Sequence, residues 1–243
     1  MKINLINPNT CQGMTDKIAT SAAAICAPGS EIIAQSPEHG PLSIECAFDE
    51  ALAGAAVLDC IAKGEQIGVD AHIIACFGDP AIDACRELAS APVIGIAGAA
   101  FQLASLVASR FSVVTTLSRT LPASHHLLQR YGYQHVCASV RASDIAVLDL
   151  EAVSEDSLQG LLSECQQAVE HDGAEAIVLG CAGMSDLVSR LQQHLSVPVI
   201  DGVAAAVKLA ESLVQLGLKT AKTGNYAAPL PKQYIGRYQH WSQ

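Results

Sequence analysis

The chain has 243 residues, half of them hydrophobic and only 4% aromatic, with a formal net charge of -10 and a pI near 5.1. Such acidity offers no basic stripe to a nucleic acid. No apolar run approaches the ~20 residues that a membrane helix needs. The core must therefore be built from Ala, Val, Ile and Leu, a usage that suits helices packed on parallel strands. Nine cysteines are scattered along the chain with no close pairs. Met1-Lys2-Ile3-Asn4-Leu5 runs straight into a strand and turn rather than a secretion signal, so reduced thiols and a cytoplasmic location are expected.

Residues 3–6 read as a first strand, ending in Asn7-Pro8-Asn9-Thr10, whose Asn and Thr can cap a helix starting near Met14. Residues 32–34 read as a second strand. Residues 47–67 carry a helical stripe of Leu52, Val57, Leu58 and Ile61. Residues 71–75 form a third strand that delivers Cys76. Asp79 then reads as a helix N-cap with Pro80 at the first helical position. Residues 92–96 are a fourth strand, followed by a helix over about 99–109.

The pattern then repeats. Residues 111–114 form a strand ending in Thr115-Thr116-Leu117-Ser118. Residues 155–171 match the earlier helix, residues 176–180 a strand ending at Cys181, residues 198–200 another strand, and 203–216 a final helix. Cys76 and Cys181 are 105 residues apart, and Pro92 and Pro198 are 106 apart. A repeat of this length predicts two similar α/β domains with parallel sheets, related by a pseudo-two-fold axis, with a cleft between them. The division expected is 1–97 plus roughly 205–243 for one domain and 98–204 for the other. Residues 219–243 read as an irregular tail over the surface or a neighbouring subunit.

In such sheets ligands bind beyond the carboxyl ends of the strands. Four loops qualify: 7–10, 76–80, 115–118 and 181–184. Cys76 and Cys181 each follow a short apolar strand and precede a glycine and a helix-like stretch. Unpaired backbone N–H groups of a helix's first turn would stabilise a thiolate there and tune its pKa towards neutrality. They would also hold a carbonyl oxygen on which charge grows when the neighbouring carbon loses a proton. Two thiols facing one carbon from opposite sides can racemise it without a cofactor. Cys11, Cys26, Cys60, Cys85, Cys137 and Cys165 read as buried structural thiols. No Cys-x-x-Cys or His-x-x-x-His spacing occurs, so no metal is expected.

Several segments together resemble the aspartate/glutamate/hydantoin racemase superfamily, most of all its hydantoin and allantoin racemase branch. They are Ile6-Asn7-Pro8-Asn9-Thr10, Ala75-Cys76-Phe77-Gly78-Asp79-Pro80, Ser112-Val113-Val114-Thr115-Thr116-Leu117-Ser118-Arg119-Thr120, Val178-Leu179-Gly180-Cys181-Ala182-Gly183-Met184 and Ala227-Ala228-Pro229-Leu230-Pro231-Lys232. The resemblance implies racemisation at C5 of a 5-substituted hydantoin, with Cys76 and Cys181 as acid and base. It also implies substrate contacts from Asn9, Phe77, Thr116 and Ala182. Thr115 and Gly183 join them as neighbours on the same loops. It further implies a small-molecule substrate, no cofactor and a homo-oligomer. Amino-acid racemases of the superfamily usually carry Thr-His after the second cysteine; here Ala182-Gly183 follows, which favours a neutral ring over free glutamate or aspartate. Other chemistry of the superfamily, amino-acid racemisation or cis–trans isomerisation, is the alternative, together with a non-catalytic small-molecule binding module.

Overall fold

A computed structural model describes residues 1–242. The first half runs β1 (Lys2–Ile6), α1 (Gln12–Ile25), β2 (Glu31–Gln35), α2 (Ala47–Gln66), β3 (Ala71–Ile74), α3 (Ile82–Leu88) and β4 (Val93–Gly95). After the connecting α4 (Ile96–Val107) come β5 (Phe111–Thr115), α5 (Leu121–Tyr131), β6 (Cys137–Ala142), α6 (Glu155–Glu170), β7 (Ile177–Leu179), α7 (Val188–Gln192) and β8 (Val199–Asp201). Helix α8 (Gly202–Gln215) then returns.

The strands form two four-stranded sheets of identical order, β2-β1-β3-β4 and β6-β5-β7-β8, with every pairing parallel. The two sheets predicted from the repeat are thus present. The central strands β1, β3, β5 and β7 are nearly all buried, as parallel strands covered on both faces must be. Sequence reading missed α5 and β6. The sequence of β6, Cys-Ala-Ser-Val-Arg-Ala, has no apolar run because every residue of this edge strand is only half-buried.

Helices α4 and α8 lie against each other between the sheets, and α8 also packs on α1 and β3. Their small residues permit this approach: a Cβ on Gly202 would lie 2.7 Å from the Ile96 carbonyl oxygen. Both α4 and α8 start directly at a strand end, and α4 begins at Ile96 rather than near Ala99.

One expectation fails locally. Helix α3 begins at Ile82, not Pro80, because Asp79 and Ala81 adopt left-handed backbone conformations (φ 43° and 55°) that no helix continues through. Asp79 is a cap, but of α4: its carboxylate accepts the N–H groups of Ala97 (3.1 Å) and Gly98 (3.0 Å) and the hydroxyl of Tyr131 (2.7 Å). The tail beyond α8 is irregular, as predicted. It is pinned to the end of α3 by Lys222 Nζ, which donates to the carbonyls of Arg86, Glu87 and Ala89. The last tail residue, Gln243, lies outside the described residues.

Candidate active site

The loops following β1, β3, β5 and β7 converge on one cavity of about 390 Å³. It is lined by Asn9, Cys76, Phe77, Thr115, Thr116, Cys181, Ala182 and Gly183, so every residue singled out from sequence borders the same space. All nine cysteines are free thiols.

The two cysteine loops share one device. The backbone N–H of Gly78 lies near the Cys76 thiol, and that of Gly183 near the Cys181 thiol; in each half the group lies two residues on. These donors favour the thiolate, but burial opposes them and is the larger effect. It pushes Cys76 up to about 12, with Cys181, Glu50 and Asp79 adding like-charge repulsion. It pushes Cys181 up to about 11, with Lys17 pulling the other way. The expectation of thiols tuned towards neutrality is therefore not met. One N–H cannot replace the hydration that a sulfur anion loses at the floor of a cleft. Cys76, moreover, precedes a turn rather than a helix, whereas Cys181 directly precedes the 3-10 segment Ala182–Leu187.

The polar groups divide into those committed to the protein and those left to the cavity. Asn7 Nδ2 donates to Asn9 Oδ1 (2.8 Å), which also accepts the Cys11 N–H (2.9 Å), so the Asn9 amide donor is what remains for a ligand. The Thr115 hydroxyl donates to the Gly180 carbonyl at 3.1 Å and so fixes the strand end that carries Cys181. Thr116 is also a buried residue, but its hydroxyl makes no such bond among the described residues and stays accessible to the cavity. The Phe77 ring packs edge-on against Phe101, 5.6 Å between centroids, and belongs mainly to the core.

Gly180 is required for this arrangement: a Cβ there would stand 2.7 Å from Thr115 Cβ and 2.8 Å from its Cα. Glu45 lines the cavity and accepts the Val147 N–H at 3.2 Å. That bond joins the first half to a strap from the second, the 3-10 segment Val147–Glu151. Cys11, to which sequence assigned no role, closes the same strap by donating to Glu151 (2.6 Å) while capping α1.

A family model described as Asp/Glu/Hydantoin racemase matches residues 3–210. The chain belongs to the Asp/Glu/hydantoin racemase family. It is 45% identical over 243 residues to the hydantoin racemase of Pseudomonas sp. (strain NS671), covering all of this chain and 98% of that protein. It is 48% identical to the hydantoin racemase of Rhizobium meliloti, over 97% of this chain and 98% of the other. The solved allantoin racemase from Klebsiella pneumoniae superposes with a TM-score of 0.97 at 50% identity, covering 100% of this chain and 99% of that one. The sequence resemblance is therefore borne out at the level of family and of the racemase fold.

Beyond its sequence-legible lining, the racemase cavity includes Glu50 and Arg130 from helices α2 and α5. Neither follows a strand end, the only positional signal that the sequence provides for a cleft residue. Among the described residues no helix is long and apolar enough to cross a membrane.

Proposed function

We propose that this racemase interconverts the enantiomers of 5-substituted hydantoins by proton transfer between Cys76 and Cys181, with no cofactor. The observation that carries this reading is that two repeat-related thiols, each with a glycine N–H two residues on, border one cavity. A hydantoin C5–H is adjacent to the C4 carbonyl. When one thiolate takes the proton, the electron pair moves onto that oxygen as an enolate. The opposite S–H then gives its proton to C5 on the other face, the carbonyl reforms, and the thiol and thiolate have exchanged places. The Asn9 amide and the Thr116 hydroxyl are the uncommitted donors available to the ring oxygens.

Raised thiol pKa values suit a weak carbon acid. The thiolate is scarce in the empty site but strongly basic once formed. No histidine follows Cys181 to pair with a substrate carboxylate, which favours the neutral ring. We further propose a cytoplasmic homo-oligomer. Ile235 and Leu230, 91% and 79% exposed on the tail, are apolar groups that a second copy would cover.

The test is a single hydantoin enantiomer in D2O, followed by optical rotation and by loss of the C5 proton signal. Wild type should do both at matching rates. Cys76→Ser and Cys181→Ser should each abolish racemisation, with any residual exchange confined to one enantiomer. Normal racemisation by both variants would overturn the two-thiol mechanism.

A further inference from the structure

The two glycines that follow the thiols stand in opposite surroundings. A methyl built on Gly183 would meet Met14 Sδ at 3.0 Å and Leu150 Cδ1 at 3.1 Å, an apolar wall. A methyl built on Gly78 would lie 3.4 Å from the Glu50 carboxyl and 3.8 Å from Cys76 Sγ. The repeat is therefore broken in the cavity, which is bordered by a carboxylate on the side of Cys76 and by apolar groups on the side of Cys181.

That carboxylate is uncommitted. The other acid lining the cavity, Glu45, is bonded to the Val147 N–H, and the nearby Arg130 is paired with Asp83 at 2.6 Å. The Glu50 carboxylate makes no hydrogen bond or ion pair among the described residues, and its half-burial holds it above the usual carboxylate range, with the Arg130 charge opposing. A half-buried acceptor without a donor costs free energy that a ligand N–H recovers.

Two kinds of donor could do so: the ring N–H groups or N–H groups on the 5-substituent. The ring becomes anionic during proton transfer, and a carboxylate bonded to it would oppose that charge. A substituent N–H outside the enolate carries no such penalty. We propose that Glu50 is the specificity-determining residue of this site. It accepts N–H groups of a ureido or similar hydrogen-bonding 5-substituent, and so selects such hydantoins over those with alkyl or aryl substituents. An apolar substituent would leave the carboxylate desolvated and unpaired, the situation by which sites built for a hydrogen bond reject analogues lacking it.

This proposal rests on the hydantoin racemase reading, and the experiment separates the two. Racemisation of allantoin, whose 5-substituent is ureido, and of 5-isopropylhydantoin would be measured for wild type, Glu50→Gln and Glu50→Leu, with melting temperature as a check on folding. Wild type should prefer allantoin. Glu50→Gln should lower kcat/KM for allantoin by at least about tenfold, as expected for loss of a charge-assisted bond, and leave 5-isopropylhydantoin unchanged or faster. Glu50→Leu should reverse the preference. Equal losses on both substrates would place Glu50 at the ring or the thiols and overturn the specificity role while preserving the racemase. Unchanged allantoin turnover in a folded Glu50→Gln would overturn it outright. Wild type inert on both substrates would instead remove the hydantoin reading.

Discussion

The Asp79 carboxylate occupies the space that a side chain on Gly95 would need: a Cβ there would fall 2.2 Å from Asp79 Cγ. Asp201 stands at the matching place in the second half, and there the residue caps α8 itself, accepting the Val203 and Ala204 N–H groups at 3.1 and 2.8 Å. Ser185 donates to Asp201 at 2.8 Å and ties the Cys181 loop to the same helix end. In the first half the cap comes from the cysteine loop, in the second from the strand. Each solution anchors a thiol loop to the N-terminus of a helix packed between the sheets.

This exchange is testable by a mutant cycle. Gly95→Ala should destabilise the protein by about 2–3 kcal/mol, through overlap with Asp79 and weakening of its cap. Gly95→Asp should be worse, since two carboxylates would then compete for one helix end. Combining it with Asp79→Ala should recover much of the loss, because the chain would then cap α4 as it caps α8. Urea unfolding of these variants and of Asp79→Ala alone measures this, and additive losses in the double variant would refute it.

The thiols set the pH dependence. Both are raised by burial, to about 12 and about 11, so both are protonated at neutral pH. The thiolate fraction grows about tenfold per pH unit below these values. Activity should therefore climb from pH 7 to pH 9. Iodoacetamide labelling of Cys76 and Cys181, read by peptide mass, should climb in parallel. A flat profile for both would mean that the pocket lowers the thiols instead.

Gly180→Ala should impair turnover more than folding. The added methyl cannot avoid the Thr115 backbone, so the strand end carrying Cys181 must shift. Misplacement of about 1 Å at a reacting group costs on the order of a hundredfold in rate. We expect kcat to fall at least tenfold with a melting temperature within a few degrees of wild type. An unchanged kcat would show that the loop relaxes elsewhere.

The strap Val147–Glu151 edges the cavity and is held by Cys11, Glu45 and Lys17, whose ammonium donates to the Leu150 carbonyl. Glu151→Ala removes one of these ties and leaves the thiols untouched. KM should rise several-fold with kcat nearly unchanged. A fall in kcat with constant KM would assign the strap to the chemical step.

Local pattern sufficed for much of this protein. The strand-and-helix alternation and the position of cysteines at strand ends lie within short windows of sequence, and the 105-residue repeat is found by comparing two such windows. Burial of parallel strands leaves that signature wherever both faces are covered, so β1, β3, β5 and β7 were legible and the edge strand β6 was not. Resemblance in five loops then supplied the family, which the comparisons establish.

Tertiary structure decided what depends on remote neighbours. Asp79 looked like the cap of the helix that follows it, but the free N–H groups nearest its carboxylate belong to α4. The thiols looked tuned towards neutrality by local donors, but desolvation, set by the whole cleft, outweighs one N–H in each half. Glu50 gave no signal, because its role arises from a helix face brought beside Gly78 by packing. The paired cysteines, and hence the possibility of two-sided proton transfer, were written in the repeat. Their basicity and the asymmetry of the space between them come from burial and close approach, which no short window of sequence contains.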